Sequence, residues 1–256
     1  MTGFGTRGTV SDRMGNGENE MTYCVAMRLR EGLVFAADTR TNAGLDHIAI
    51  FRKMHIFERR GERSIVLLTS GNLATAQSVV STLCERIRHE DESNLYNVDS
   101  LFGAARLVGA TISEVIAQAC AGQQNGGIDF GLNVLLGGQI AGERPRLFHI
   151  YPQGNFIEAT EDTTYFQIGE VKYGKPIIDR VIHYDLSLDH AKKCALISFD
   201  STIRSNLSVG MPIDLALYRE DGFELNVERI AEQDEHFNSL RRTWGDGLRA
   251  LFENLP

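Results

Sequence analysis

An α+β sandwich is the fold predicted for this chain: two antiparallel sheets packed together, flanked by helix pairs, in four αββα layers. Three observations carry that expectation. The pattern runs four strands, two helices, about three strands, two helices, two strands and a last helix. It never alternates strand with helix as a doubly wound parallel sheet must. Strand segments such as "SIVLLT" and "LNVLL" are apolar throughout, as in sheets covered on both faces. No linker and no repeat divides the chain, so residues 22–256 are expected to form a single domain.

The elements follow in order. Residues 1–21 offer Gly, Thr, Ser, Asn and mixed charges, with little besides Phe4 and Val10 to bury, and are expected to be disordered or removed. From Thr22, "TYCVAMRL" and "GLVFAADTR" are β-branched and apolar runs joined at Arg30-Glu31-Gly32, a hairpin signal. "KMHIFERRGERSIVLLTSG" repeats the design, turning at Arg60-Gly61-Glu62. Leu73, Ala76, Val79, Val80, Leu83 and Ile87 then recur at helical spacing. After the polar break "HEDESNLYNVDS", Asp99 or Ser100 can cap a second helix whose stripe runs from Leu101 to Ile116. "FGLNVLLGGQI", "RPRLFHIYP" and "FIEATEDTTYFQIG" read as strands, and Pro176 suits the first turn of a helix. A further helix covers "LDHAKKCALISFDSTIRS", and "DLALYRE" and "FELNVERI" are closing strands. The C-terminal segment "DEHFNSLRRTWGDGLRALFENL" reads as helical, with a break at Gly245–Gly247.

Composition narrows the function. The 256 residues are 43% hydrophobic and 23% charged, with a formal net charge of −8. No basic stretch exceeds a pair of arginines, so nucleic acid is not an expected partner. No run of 18 apolar residues and no apolar signal-peptide core is present, so neither is a membrane. Cys24, Cys84, Cys120 and Cys194 lie far apart without metal-ligand spacing, which suits reduced thiols and a cytoplasmic location.

Three motifs fall short of their chemistry. Gly169, Gly174 and Lys175 match the glycine and lysine spacing of a phosphate loop, but Pro176 stands where a hydroxyl must hold Mg²⁺ and removes an N–H as well. His183, Asp185, Asp189 and His190 cluster in sequence, yet the histidines are not at the i, i+4 spacing of a helical metal site. Ser70 lacks the flanking glycine of a nucleophile elbow. Thr22 is different. As the first residue of a mature chain, its own α-amino group, with an ordinary pKa of about 7.7–8.0, would be the base its hydroxyl needs. A neighbouring lysine ammonium keeps such an amine neutral, and a carboxylate holds the lysine in place. Asp38, at the end of the second strand, and Lys53, opening the third, supply that pair.

On these residues the chain resembles the proteasome-type peptidases, the N-terminal-threonine branch of the Ntn hydrolases. "TYCVAMRLREGLVFAADTRTNAG" is similar to their opening hairpin, with Asp38 sixteen residues after Thr22. Lys53 matches the family's lysine after a one-residue deletion. "TSGN" is similar to the turn before the first helix, which implies that the Gly71 N–H donates to an oxyanion. "FDSTIRSN" is similar to the late helix end, which implies that Asp200 and Ser205 support the threonine. Within the family, "FRKMHIFE" and "SFDSTIRSNLSVGMPIDL" look most like the bacterial Anbu group. That likeness implies a cytoplasmic threonine-type endopeptidase without metal or organic cofactor, acting on peptides or unfolded chains as a ring or ring-like helical homo-oligomer. One departure is Glu170, standing about where many active relatives carry a serine; a carboxylate there raises the pKa of the amine.

The rival expectation is a catalytically weak or inactive assembly subunit whose threonine stays blocked. Relatives that process themselves place glycine before the threonine, and here the residue is Met21. The expectation is therefore that translation starts at Met21 and that removal of the initiator methionine frees Thr22.

Overall fold

The structure, a computed structural model, describes residues 22–42, 48–121 and 128–256; the expected leader, residues 1–21, lies outside them. The chain opens with β1 (Tyr23–Leu29) and β2 (Gly32–Asp38), then a short antiparallel ribbon of β3 (Arg40–Asn42) and β4 (Ile48–Ile50). β5 (Met54–Arg59) and β6 (Arg63–Gly71) form the second hairpin, followed by α1 (Leu73–Arg88) and α2 (Leu101–Ala121). β7 (Leu132–Ile140), β8 (Arg146–Ile150), β9 (Phe156–Glu158) and β10 (Tyr165–Gly169) lead to α3 (Lys175–Val181) and α4 (Leu188–Ser205). β11 (Ile213–Arg219), β12 (Leu225–Ile230) and α5 (Glu235–Glu253) complete it.

Two five-stranded antiparallel sheets result, ordered β10-β1-β2-β11-β12 and β5-β6-β7-β8-β9. The alternation of side chains along a strand builds the layers. In β1, Tyr23, Val25, Met27 and Leu29 pack with Leu196 and Phe199 of α4. The intervening Cys24 and Ala26 pack with Val66, Leu68 and Leu135 of the other sheet. A third core joins that sheet to α1 and α2 through Ile65, Leu67, Val79, Val108 and Leu136. Burial on both faces is why these strands read as unbroken apolar runs, and the architecture is the expected four-layer αββα sandwich. A tight fit between sheets falls at Gly137, where a Cβ would come 2.8 Å from the Phe35 ring.

Three details depart from the sequence reading. "FIEATEDTTYFQIG" is two strands: β9 closes one sheet, and β10 crosses over to pair with β1 in the other. The run "GLVFAADTR" predicts one strand as far as Arg40, but β2 ends at Asp38 and Arg40 opens the β3–β4 ribbon. And α5 passes through Gly245 and Gly247 without a break. A glycine costs a helix only about 1 kcal/mol, and here the Asp234 cap and the strong helix formers on either side outweigh two of them.

Candidate active site

Thr22 immediately precedes β1 and is only 5% exposed. Its carbonyl accepts a 2.6 Å hydrogen bond from the Glu170 N–H, which extends the β1–β10 ladder by one residue. Gly169 makes this approach possible: its φ is +83°, and a Cβ there would fall 1.8 Å from the Thr22 oxygen. The next N–H, of Tyr23, donates to Asp38 Oδ1 at 3.0 Å. The Tyr23 ring runs back into the core, where its hydroxyl donates to Ser198 Oγ and accepts from Gln167 Nε2. Thr22 therefore begins a strand held on both edges and anchored through its neighbour's side chain.

Asp38 ends β2, paired in register with Ile213 of β11. Its Oδ1 also accepts from Lys53 Nζ at 2.7 Å, with side-chain exposures of 7% for the lysine and 0% for the aspartate. Lys53 Nζ donates a second bond to the Arg40 carbonyl at 2.6 Å, and the Lys53 carbonyl accepts from Thr69 N at 3.0 Å. Burial raises the Asp38 carboxyl above its ordinary value, opposed by the Lys53 charge and by the bonds that Lys53 and the Tyr23 N–H donate. Cys24, the nearest thiol in sequence, is pushed far up by burial, with Asp38 adding to the shift, which leaves it protonated and inert.

Gly71 closes β6 at a φ of +127°, and a Cβ there would stand 2.3 Å from the Gly131 carbonyl. Asn72 caps α1 by accepting from Thr75 N at 3.0 Å, fixing the turn immediately after Gly71. Thr22, Lys53, Ser70 and Gly71 all line one cavity of about 190 Å³. The arrangement thus brings a threonine, the lysine of a buried ion pair and a glycine at a strand end to the lining of one space. A groove of about 780 Å³ along α2, past Phe102 and Arg106, contains none of them. Gly71→Ala is expected to cost roughly 1–3 kcal/mol, read from the denaturant midpoint, since neither the backbone nor the Gly131 carbonyl accommodates a methyl. A variant as stable as the parent would show that the turn is not constrained.

The remaining sequence candidates, Asp200 and Ser205, do not line this cavity. Asp200 is buried on α4, but Arg204 Nε bonds both its oxygens at 3.0 Å and Arg241 Nε of α5 reaches Oδ1 at 2.6 Å. It ties α4 to α5 and is not among the residues lining the Thr22 cavity. Ser205 is exposed at the end of α4, and among the described residues no hydrogen bond joins it to Thr22. Its neighbour Asn206 caps α4 and donates from Nδ2 to Glu170 Oε2 at 3.0 Å. Glu170 is only 7% exposed and sits across the ladder from Thr22, with Lys172 Nζ 3.9 Å from its other oxygen. Nothing local in the sequence marks Asn206, because its partner is 36 residues away. Lys175, the near-match to a phosphate loop, is engaged with Tyr165 and Asp179. Among the described residues no cluster of His, Cys, Asp and Glu is arranged to hold a metal ion. No helix among them is long and apolar enough to cross a membrane.

Comparison with known proteins identifies the family. The "Anbu (ancestral beta-subunit)" of Yersinia bercovieri superposes with a TM-score of 0.87 and 58% identity, over 92% of this chain and 98% of that one. The chain of the "Helical Assembly of the Anbu Complex" of Pseudomonas aeruginosa does so at 0.86 and 53%, over 92% and 97%. "Proteasome subunit beta 2" of Nitrosopumilus maritimus is 30% identical over 215 residues, covering 81% of this chain and 90% of its own length. The family model described as proteasome subunit matches residues 19–217. By fold, by sequence and by these relatives, the chain belongs to the proteasome subunit family.

Proposed function

We propose that this proteasome-like subunit is a threonine-type endopeptidase with Thr22 as its nucleophile. The observation that carries the reading is the Asp38–Lys53 pair. Lys53 and Gly71 line the same cavity as Thr22, and the Asp38 carboxylate also holds the N–H that follows Thr22. With Thr22 at the N-terminus, the neutral α-amine takes the Oγ proton, directly or through one water, as Oγ attacks the peptide carbonyl. The Lys53 charge favours that neutral amine by like-charge repulsion. The Gly71 N–H stabilises the oxyanion, a contribution of about 3–4 kcal/mol per donor in comparable sites. Collapse of the tetrahedral intermediate expels the amine half of the substrate with the transferred proton. The remaining ester is cleaved when a water, deprotonated by the same α-amine, attacks it and restores Thr22. Glu170, paired with Asn206, adjoins the strand end through its N–H, and Asp200, held by Arg204 and Arg241, supports the site from α4 without touching the substrate, as does Ser205.

The substrates in this reading are peptides or unfolded chains, the location is cytoplasmic, and the working form is a ring or ring-like helical homo-oligomer. The helical assembly described for the Pseudomonas aeruginosa relative supports self-association. Glu170 favours a second reading, a weak or inactive assembly subunit: it is a buried acidic residue whose backbone pairs with Thr22, and a carboxylate near the amine would stabilise the protonated form and weaken the base. Intact mass and N-terminal sequencing of the native protein separate the two. The expected chain starts at Thr22; a native chain that retains Met1 and cleaves no peptide would leave only the assembly role.

A further inference from the structure

The cavity beside Thr22 has a charge character of its own. Arg52, Lys53 and His55 lie within four consecutive positions at the entry to β5, and all three line it. Lys53 is neutralised by Asp38. Arg52 is exposed and, among the described residues, has no ion pair or hydrogen bond, so its guanidinium charge stands uncompensated at the cavity mouth. The His55 ring is half-buried with no hydrogen-bond partner among the described residues. Burial first, and the neighbouring Arg52 charge second, hold its pKa below the ordinary value. At neutral pH it is then an uncharged ring with one N–H to donate. Leu73 and Ala76 supply apolar surface, and Thr69 and Gln77 are uncharged. No aspartate or glutamate is among the described residues around the cavity.

The position of the cavity says which part of a substrate enters it. Thr22 and Gly71 fix where the attacked carbonyl sits, so the side chain of the residue carrying that carbonyl is the group that reaches the cavity. Its volume of about 190 Å³, at ~30 Å³ for a water in the liquid, is worth about six waters and has room for a side chain of four or five heavy atoms. A lysine or arginine entering it meets like charge and no counter-ion. A carboxylate meets a guanidinium with its donors free, which makes a charge-assisted and geometrically specific pair.

We propose that this cavity selects an acidic side chain, Asp or Glu, on the acyl side of the scissile bond, with Arg52 pairing the carboxylate and His55 donating a hydrogen bond to it. The inference rests on Thr22 being the nucleophile, and its test separates the two. The native assembled protein is given fluorogenic peptides that differ only in the residue before the reporter: Glu, Asp, Leu or Lys. Glu and Asp are expected to exceed Leu at least tenfold and Lys at least a hundredfold in kcat/KM. In Arg52→Gln the Glu-to-Leu ratio is expected to fall below threefold. If Leu or Lys is cleaved as well as Glu, the acidic preference is wrong while the nucleophile stands. A readout without turnover covers a chain that cleaves nothing: titration calorimetry of the Thr22→Ala protein with peptides whose C-terminal Glu, Leu or Lys is amidated. The Glu peptide is expected to bind at least tenfold tighter than either other; equal or weaker binding overturns the proposal, whatever the fate of the nucleophile.

Discussion

Replacing Thr22 by alanine is expected to lower peptide hydrolysis by about 10⁴-fold or more, the scale on which loss of a nucleophile falls in hydrolases that act through a covalent ester. The fold should not change. The bonds that set this strand end are made by the Thr22 carbonyl to Glu170 and by the Tyr23 N–H to Asp38, and alanine keeps both. Thr22→Ser, which retains a hydroxyl on the same backbone, is expected to recover part of the rate. Ser70 lines the same cavity and is the alternative hydroxyl to watch. If Ser70→Ala abolishes hydrolysis and Thr22→Ala leaves more than a tenth of it, the nucleophile has been misassigned.

Lys53→Met is expected to be the most destabilising single change near the site, costing about 3–5 kcal/mol. The loss arises because Asp38 has a side-chain exposure of 0% and would keep its charge with no counter-ion. Adding Asp38→Asn is expected to return much of the stability, since both charges then leave the interior together, but none of the activity. The pH dependence has a definite sign. Burial already raises the folded-state carboxyl of Asp38, and loss of the lysine raises it further. A carboxyl with a raised folded value binds its proton more readily in the native state, so stability is lost as pH rises from the unfolded value, about 3.9. The deficit of Lys53→Met relative to the parent should therefore shrink as pH falls from 7 towards 4. Unfolding curves at several pH values test it; a deficit constant with pH would mean that Asp38 is not the group left unpaired.

The opening hairpin, the main helices and the layer order were legible because they rest on local periodicity, which the sequence carries directly. The Thr22, Asp38 and Lys53 grouping was legible for a related reason: a tight hairpin brings the end of β2 beside the start of β1. What was not legible depends on partners far along the chain. The crossing of β10 to the other sheet is decided by its pairing with β1, more than 130 positions earlier in register. The capture of Asp200 by Arg241 spans 41 residues and turns on how α5 lies against α4. Asn206 rather than Ser205 meets Glu170 because α4 ends at Ser205 and Asn206, its C-cap, leaves the helical conformation with its side chain buried. The unbroken α5 shows the other limit: helix-breaking residues set a cost, and neighbours decide whether it is met.

The way Thr22 is moored has a consequence for maturation. Its carbonyl is tied to Glu170, its successor's N–H to Asp38, and its successor's hydroxyl to Ser198. Each of these anchors lies on the downstream side of the Thr22 α-carbon. In the proposed maturation to Thr22, the peptide bond upstream is severed without loosening any of them, so the terminus would form without a rearrangement of the strand.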